Sequence, residues 1–146
     1  MTGTKVATTT ADEATAATAE EAARLIRGSP RFLFVFQRTP YGSVAAAEAL
    51  DLALAAAAFD RPVSLLFLGD GVWQLATGQA PAGIARKDWT RAFGALADFG
   101  IEAVFAEAES LAERGLSAQG LALPVRVLDA VGVRALLDGH EAICRV

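Results

Sequence analysis

The sequence predicts an α/β domain in three layers, helices on both faces of a mostly parallel five-stranded sheet. Two apolar runs of strand length, Phe32–Phe36 and Val63–Leu68, are rich in aromatic and branched side chains. Between them an alanine-rich run from Val44 to Phe59 has the length of a helix, so strand, helix and strand form one βαβ unit. The strand runs are apolar at consecutive positions rather than alternate ones, the mark of a parallel sheet buried on both faces.

The elements follow in order. Thr and Ala fill 15 of the first 30 positions. Large apolar residues are almost absent up to Thr18, so residues 1–30 are expected to form a flexible extension, disordered to about residue 18. Ala19–Arg27 has the composition of two helical turns, stopped by Gly28-Ser29-Pro30. This extension reads as a tail, with a docking arm for a partner as the alternative. Residues 31–146 form the domain. Its first strand runs from Arg31 to Gln37. Ser43 is the expected N-cap of the first helix, whose stripe is Leu50, Leu54 and Ala57, and Pro62 follows its end. The second strand is Val63–Leu68, and the crossover between the two strands should be right-handed.

After the turn-rich stretch through Gly78, Pro81 and Gly83, a second helix is expected from Ala85 to Phe99, with Trp89, Phe93, Leu96 and Ala97 facing the core and Gly100 past its end. Ile101–Ala106 is the third strand and Glu107–Arg114 a short helix stopped by Gly115. Pro124 opens a fourth strand, Val125–Leu128. Asp129 is the expected N-cap of a helix through Leu137, and Glu141–Val146 is the last strand.

A chain of 146 residues is long enough for one domain that buries about two thirds of its unfolded surface. No run supplies the roughly 20 apolar residues of a membrane span. The first ten residues hold one Lys and no apolar core, unlike a secretory signal, which makes the cytoplasm the expected compartment. A net charge of −4 argues against nucleic-acid binding through a broad basic face. One cysteine, Cys144, excludes an internal disulfide and a Cys-rich metal site.

Neither glycine signature for dinucleotide or nucleotide phosphates is present, and no cofactor or metal site is expected. The single histidine, His140, follows a Gly and is expected on a surface turn. Cys144 has only Arg145 as a neighbouring cation and no helix start beside it. It reads as a structural, half-buried residue, with a nucleophile as the alternative.

In open parallel sheets, ligands and partners meet the loops at the carboxyl ends of the strands. Two such loops stand out. Thr39-Pro40-Tyr41-Gly42-Ser43 combines a rigid Pro, a permissive Gly and a helix start suited to an anion, or else merely caps that helix. Asp70-Gly71-Val72-Trp73-Gln74 brings an acid, a Gly and a large aromatic that packs into the domain or an interface. The candidate cleft or interface residues are therefore Thr39, Tyr41, Gly42, Ser43, Asp70, Gly71 and Trp73.

These same segments carry a resemblance. Arg31-Phe32-Leu33-Phe34-Val35-Phe36 with Thr39-Pro40-Tyr41-Gly42-Ser43, then Asp70-Gly71-Val72-Trp73-Gln74-Leu75 with Gly78-Gln79, then Ser110-Leu111-Ala112-Glu113-Arg114-Gly115-Leu116, resemble the DsrE/DsrF-like sulfur-relay family, and within it the DsrF/TusC branch. The likeness spans Arg31 to Val146. It implies a DsrE/F-like fold, flavodoxin-like in general build. It also implies a subunit of a cytoplasmic heterohexamer, two copies each of three related chains, the others being DsrE/TusD-like and DsrH/TusB-like. Such complexes pass persulfide sulfur to a downstream acceptor protein, for 2-thiolation of tRNA or for dissimilatory sulfur oxidation.

The resemblance places the persulfide cysteine of catalytic members just after the third strand, where this chain has Glu107. A helix start would lower a thiol's pKa there. A carboxylate enjoys the same field but cannot carry sulfur, so the implied role is a noncatalytic subunit. Glu107 then either contributes to a neighbour's site or is an ordinary acid at a helix start. The alternatives are a sulfurtransferase using Cys144 and a stand-alone module binding a small anion at Thr39–Ser43. An aromatic-rich, net-acidic surface suits protein partners better than RNA.

Overall fold

The computed structural model describes residues 16–17, 32–40, 44–76 and 89–146, without the side chains of 16–17 and 89–92. Five strands form the body of the sheet: β2 (Phe32–Phe36), β3 (Val63–Phe67), β4 (Ala103–Glu107), β5 (Arg126–Leu128) and β6 (Ala142–Arg145). A two-residue strand β1, Ala16–Ala17, adds an edge beside β5. The order across the sheet is β1-β5-β4-β3-β2-β6, and every strand pair is parallel.

From β2 to β5 the chain steps steadily in one direction, then returns to lay β6 on the other side of β2. Helix α1 (Ala45–Ala58) joins β2 to β3, α2 (Trp89–Asp98) precedes β4, and α3 (Ala108–Glu113) follows it. The return crossing is made by α4 (Ala130–Asp138). Right-handed crossovers taken in opposite directions put helices on opposite faces, and the core divides accordingly. Phe34, Phe36, Leu65, Phe67 and Val104 pack with Ala49, Leu50, Ala53, Phe93, Leu96 and Leu111 of the first three helices. Leu33, Val35, Leu66, Phe105 and Leu128 pack with Val133 and Leu136 of α4.

Burial at consecutive positions is what the strand runs promised: Leu33, Phe34, Val35 and Phe36 are all buried, as is every residue of β3. Phe36 lies opposite Phe67 in register. Their rings stack at 4.9 Å, and Phe93 meets Phe67 edge-on at 6.1 Å. Such aromatic pairs add about 0.5–1.5 kcal/mol each beyond the burial of their area. The alanines of α1 at 46, 49 and 53 are buried, which lets the helix lie close on the sheet.

Several expectations are corrected. Ala16–Ala17 pairs with Val127 and Leu128, although it falls in the stretch expected to be disordered. Main-chain pairing to an open sheet edge needs no large side chain, so composition alone does not forbid it. The stop expected at Gly28–Pro30 and the helical turns before it lie outside the described residues, as do Ala85–Asp88 of the second helix. Helix α1 has Val44 at its N-cap and no side-chain cap bond. The expected cap, Ser43, lies outside the described residues. Ala97 is exposed rather than on the core stripe, while Phe93 and Leu96 are buried. Asp129 does cap α4, its Oδ1 accepting the Gly132 N–H at 2.7 Å.

His140 is the largest correction. It is buried, 7% exposed, not on a surface turn. The end of α4 crosses the sheet over β3 and carries the ring inward. One ring nitrogen, Nδ1, lies 2.7 Å from the Leu136 carbonyl, and Nε2 lies 3.2 Å from the hydroxyl of Ser64, itself fully buried. Burial holds the imidazole pKa below its usual 6.5, the Leu136 carbonyl opposing in part.

Candidate functional site at the carboxyl ends of the strands

The loop after β3 sets the geometry here. It is a 3₁₀ segment, Gly69–Leu75, and it passes hard against the end of β2. The Phe36 carbonyl accepts the Leu68 N–H at 3.0 Å. A Cβ on residue 71 would lie 1.8 Å from that same oxygen, so only glycine fits. Gly69 has φ +53°, the left-handed region that glycine enters at little cost. The Asp-Gly pair picked out in the sequence is therefore first a backbone requirement. With Gly71 held down, Val72, Gln74 and Leu75 turn inward and are buried, while Trp73 stays 38% exposed.

Beside this loop, β4 ends at Glu107 and α3 begins at Ala108. Glu107 is half-buried; it closes the strand and is also the N-cap of α3, at the helix start where the sequence reading put it. Its carboxylate accepts a hydrogen bond from the Ser110 hydroxyl. That hydroxyl in turn accepts the Gly69 N–H at 2.8 Å. Arg114 completes the cluster. Its Nε and Nη2 donate to Asp70 Oδ1 at 3.1 and 3.0 Å, and Nη1 donates to the Ser110 carbonyl at 3.0 Å.

Of the sequence-predicted residues, the fold brings Asp70, Gly71 and Glu107 into one cluster. Trp73 projects from the same loop. Thr39 is exposed at the end of β2, and Tyr41, Gly42 and Ser43 lie outside the described residues. Cys144 is not part of the cluster. It sits half-buried on β6 opposite Phe34, three strands away from β4.

Three members escaped the sequence reading. Ser110 and Arg114 act across more than 40 residues, on Gly69 and Asp70. Gln74 is 1% exposed and donates from Nε2 to the Arg38 carbonyl at 3.0 Å, tying the two loops together. Its Oε1 is buried and has no hydrogen-bond partner among the described residues. The only sequence signal was location: all three belong to stretches already singled out.

The cluster can fix a loop and present charge. Among the described residues, Glu107 is a hydrogen-bonded carboxylate with no thiol, imidazole or amine bonded to it. No described helix is long and apolar enough to cross a membrane.

A parallel sheet in this strand order, with its polar cluster at the carboxyl ends of β3 and β4, defines an α/β class of protein. The profile of the DsrE/DsrF-like family matches residues 31–143, and the chain belongs to that family. It is 44% identical over 115 residues to a TusC homolog from Pseudomonas aeruginosa, covering 79% of this chain and 97% of that one. It is 38% identical over 91 residues to the intracellular sulfur oxidation protein DsrF of Allochromatium vinosum, covering 62% and 67%. The ychN protein from E. coli has the same fold, with a TM-score of 0.70 over 80% of this chain and 99% of that one, at 19% identity.

Proposed function

We propose that this chain is a noncatalytic subunit of a cytoplasmic DsrEFH/TusBCD-type sulfur-relay complex. Its companions would be DsrE/TusD-like and DsrH/TusB-like chains in a 2:2:2 heterohexamer that hands persulfide sulfur to a downstream acceptor protein. Relatives named TusC and DsrF over most of the chain support the assignment to a sulfur-relay subunit.

One observation carries the noncatalytic part. At the end of β4, where the family resemblance puts the persulfide cysteine, stands Glu107, its carboxylate bonded by Ser110. A persulfide-accepting site needs an accessible thiolate stabilised by a nearby positive field. Here the position is filled by an acid, and the side chain beside it serves to hold a loop. Residues 31–146 would form the relay domain, with residues 1–30 as an extension to it. Candidate contact residues toward partners are Thr39, Tyr41, Gly42, Ser43, Asp70, Gly71, Trp73 and Glu107. Trp73, an exposed aromatic on a loop fixed from below, has the character of an interface anchor.

Co-expression with DsrE-like and DsrH-like chains tests the assembly. The expected result is co-purification of all three in equal amounts. A chain that purifies alone and ignores both companions contradicts it.

A further inference from the structure

The chain reverses its direction of travel across the sheet between β2 and β6, since β6 returns to the open side of β2. In open parallel sheets such a reversal leaves a crevice outside the carboxyl ends of the two strands, and ligands bind there. Here that crevice is a groove of about 320 Å³, lined by Gln37, Arg38, Ala45, Arg145 and Val146. This is at the small end of ligand pockets, which run from roughly 300 to 1,000 Å³.

The charge in this groove runs against that of the whole molecule. The chain carries a net −4, yet the described residues lining the groove include two arginines and no Asp or Glu. Arg38 and Arg145 are both exposed, and neither forms an ion pair among the described residues. Arg114 and Arg134, by contrast, are satisfied by Asp70 and Asp138. Val146, the last residue of the sequence, is in the wall, its oxygen accepting the Gln37 N–H at 2.8 Å; its carboxylate offsets one of the two arginine charges, and the lining stays net positive.

The groove is held in shape. Arg145 is fixed on β6 opposite Val35. The Arg38 backbone is pinned through its carbonyl by the buried amide of Gln74. A guanidinium carries a planar fork of N–H donors that can grip an oxyanion with two bonds, and two arginines line this groove.

We propose that the crevice between β2 and β6 binds a small divalent oxyanion of the sulfate and phosphate class, held by Arg38 and Arg145. The site stands apart from the Glu107 cluster and does not rest on the relay reading.

The test is titration of the full chain, in the assembly state in which it purifies, with inorganic phosphate and with sulfate. Ionic strength is kept constant, because exposed charges are screened by salt. Binding is followed by calorimetry or by NMR shifts. The expected result is saturable binding that weakens roughly tenfold in Arg145→Gln and in Arg38→Gln. Arg61→Gln removes an exposed arginine just before β3, at the opposite end of the strands, and should leave binding unchanged. All three positions are exposed, so the variants are expected to fold. No saturable binding, or equal weakening by Arg61→Gln, overturns the proposal.

Discussion

Ser110 donates its hydroxyl proton to the carboxylate of Glu107 and accepts the Gly69 amide on the same oxygen at 2.8 Å. One buried hydroxyl thus joins the end of β4 to the loop that follows β3. It also accounts for the side chain at position 107 by a bond within the chain.

Ser110→Ala should separate the two segments. Ser110 is 3% exposed, so the Gly69 N–H would lose its acceptor in a place water reaches poorly. Stranding a buried donor costs about 1–3 kcal/mol. A denaturant melt should show that loss. Glu107→Gln keeps a carbonyl oxygen for Ser110 and should cost less than Ser110→Ala. Equal stability of Ser110→Ala and wild type would remove the hydroxyl from the account.

Gly71→Ala should be among the most damaging single changes in the chain. The added Cβ would stand 1.8 Å from the Phe36 carbonyl oxygen, a backbone atom that cannot rotate away. Either the loop lifts, exposing Val72 and Leu75, or β2 shifts. A loss of about 3 kcal/mol or more is expected, at the upper end of overpacking effects. Gly120→Ala, where a Cβ meets nothing within 4 Å, is the matched control and should leave the melting curve near that of wild type.

Stability should fall in mild acid, and His140 should be a cause. Burial holds its folded pKa below 6.5, so the unfolded chain binds the extra proton first as pH drops. The His140 contribution to the unfolding free energy is therefore flat above 6.5, declines as pH falls through 6.5, and levels off only below its folded pKa. Unfolding free energies measured across that window should show a slope that His140→Gln reduces. An unchanged slope would mean that other groups carry it.

What the sequence reveals and what it hides follow from the range of each interaction. Phe32–Phe36 and Val63–Phe67 declare themselves because a strand buried on both faces must be apolar at every position. The Asp129 cap is legible because its partner, Gly132, is three residues away. His140 is misread because its immediate neighbours, Gly139 and Glu141, are turn residues, while the hydroxyl beside it, Ser64, is 76 residues distant. Ser110 and Arg114 are hidden for the same reason. Their partners on the β3 loop come within reach only when β3 and β4 pair. Gln74 sits in a recognised motif, but its bond to the Arg38 carbonyl depends on how close that loop passes to the end of β2.

The central claim is that sulfur passes by this chain without being carried on it. Its most direct test is intact-mass analysis of each subunit in the co-purified complex after exposure to a persulfide donor. The account predicts added sulfur on a companion chain and an unmodified mass here. Sulfur on this chain, whose one thiol is Cys144, would contradict it and make β6 the site of transfer.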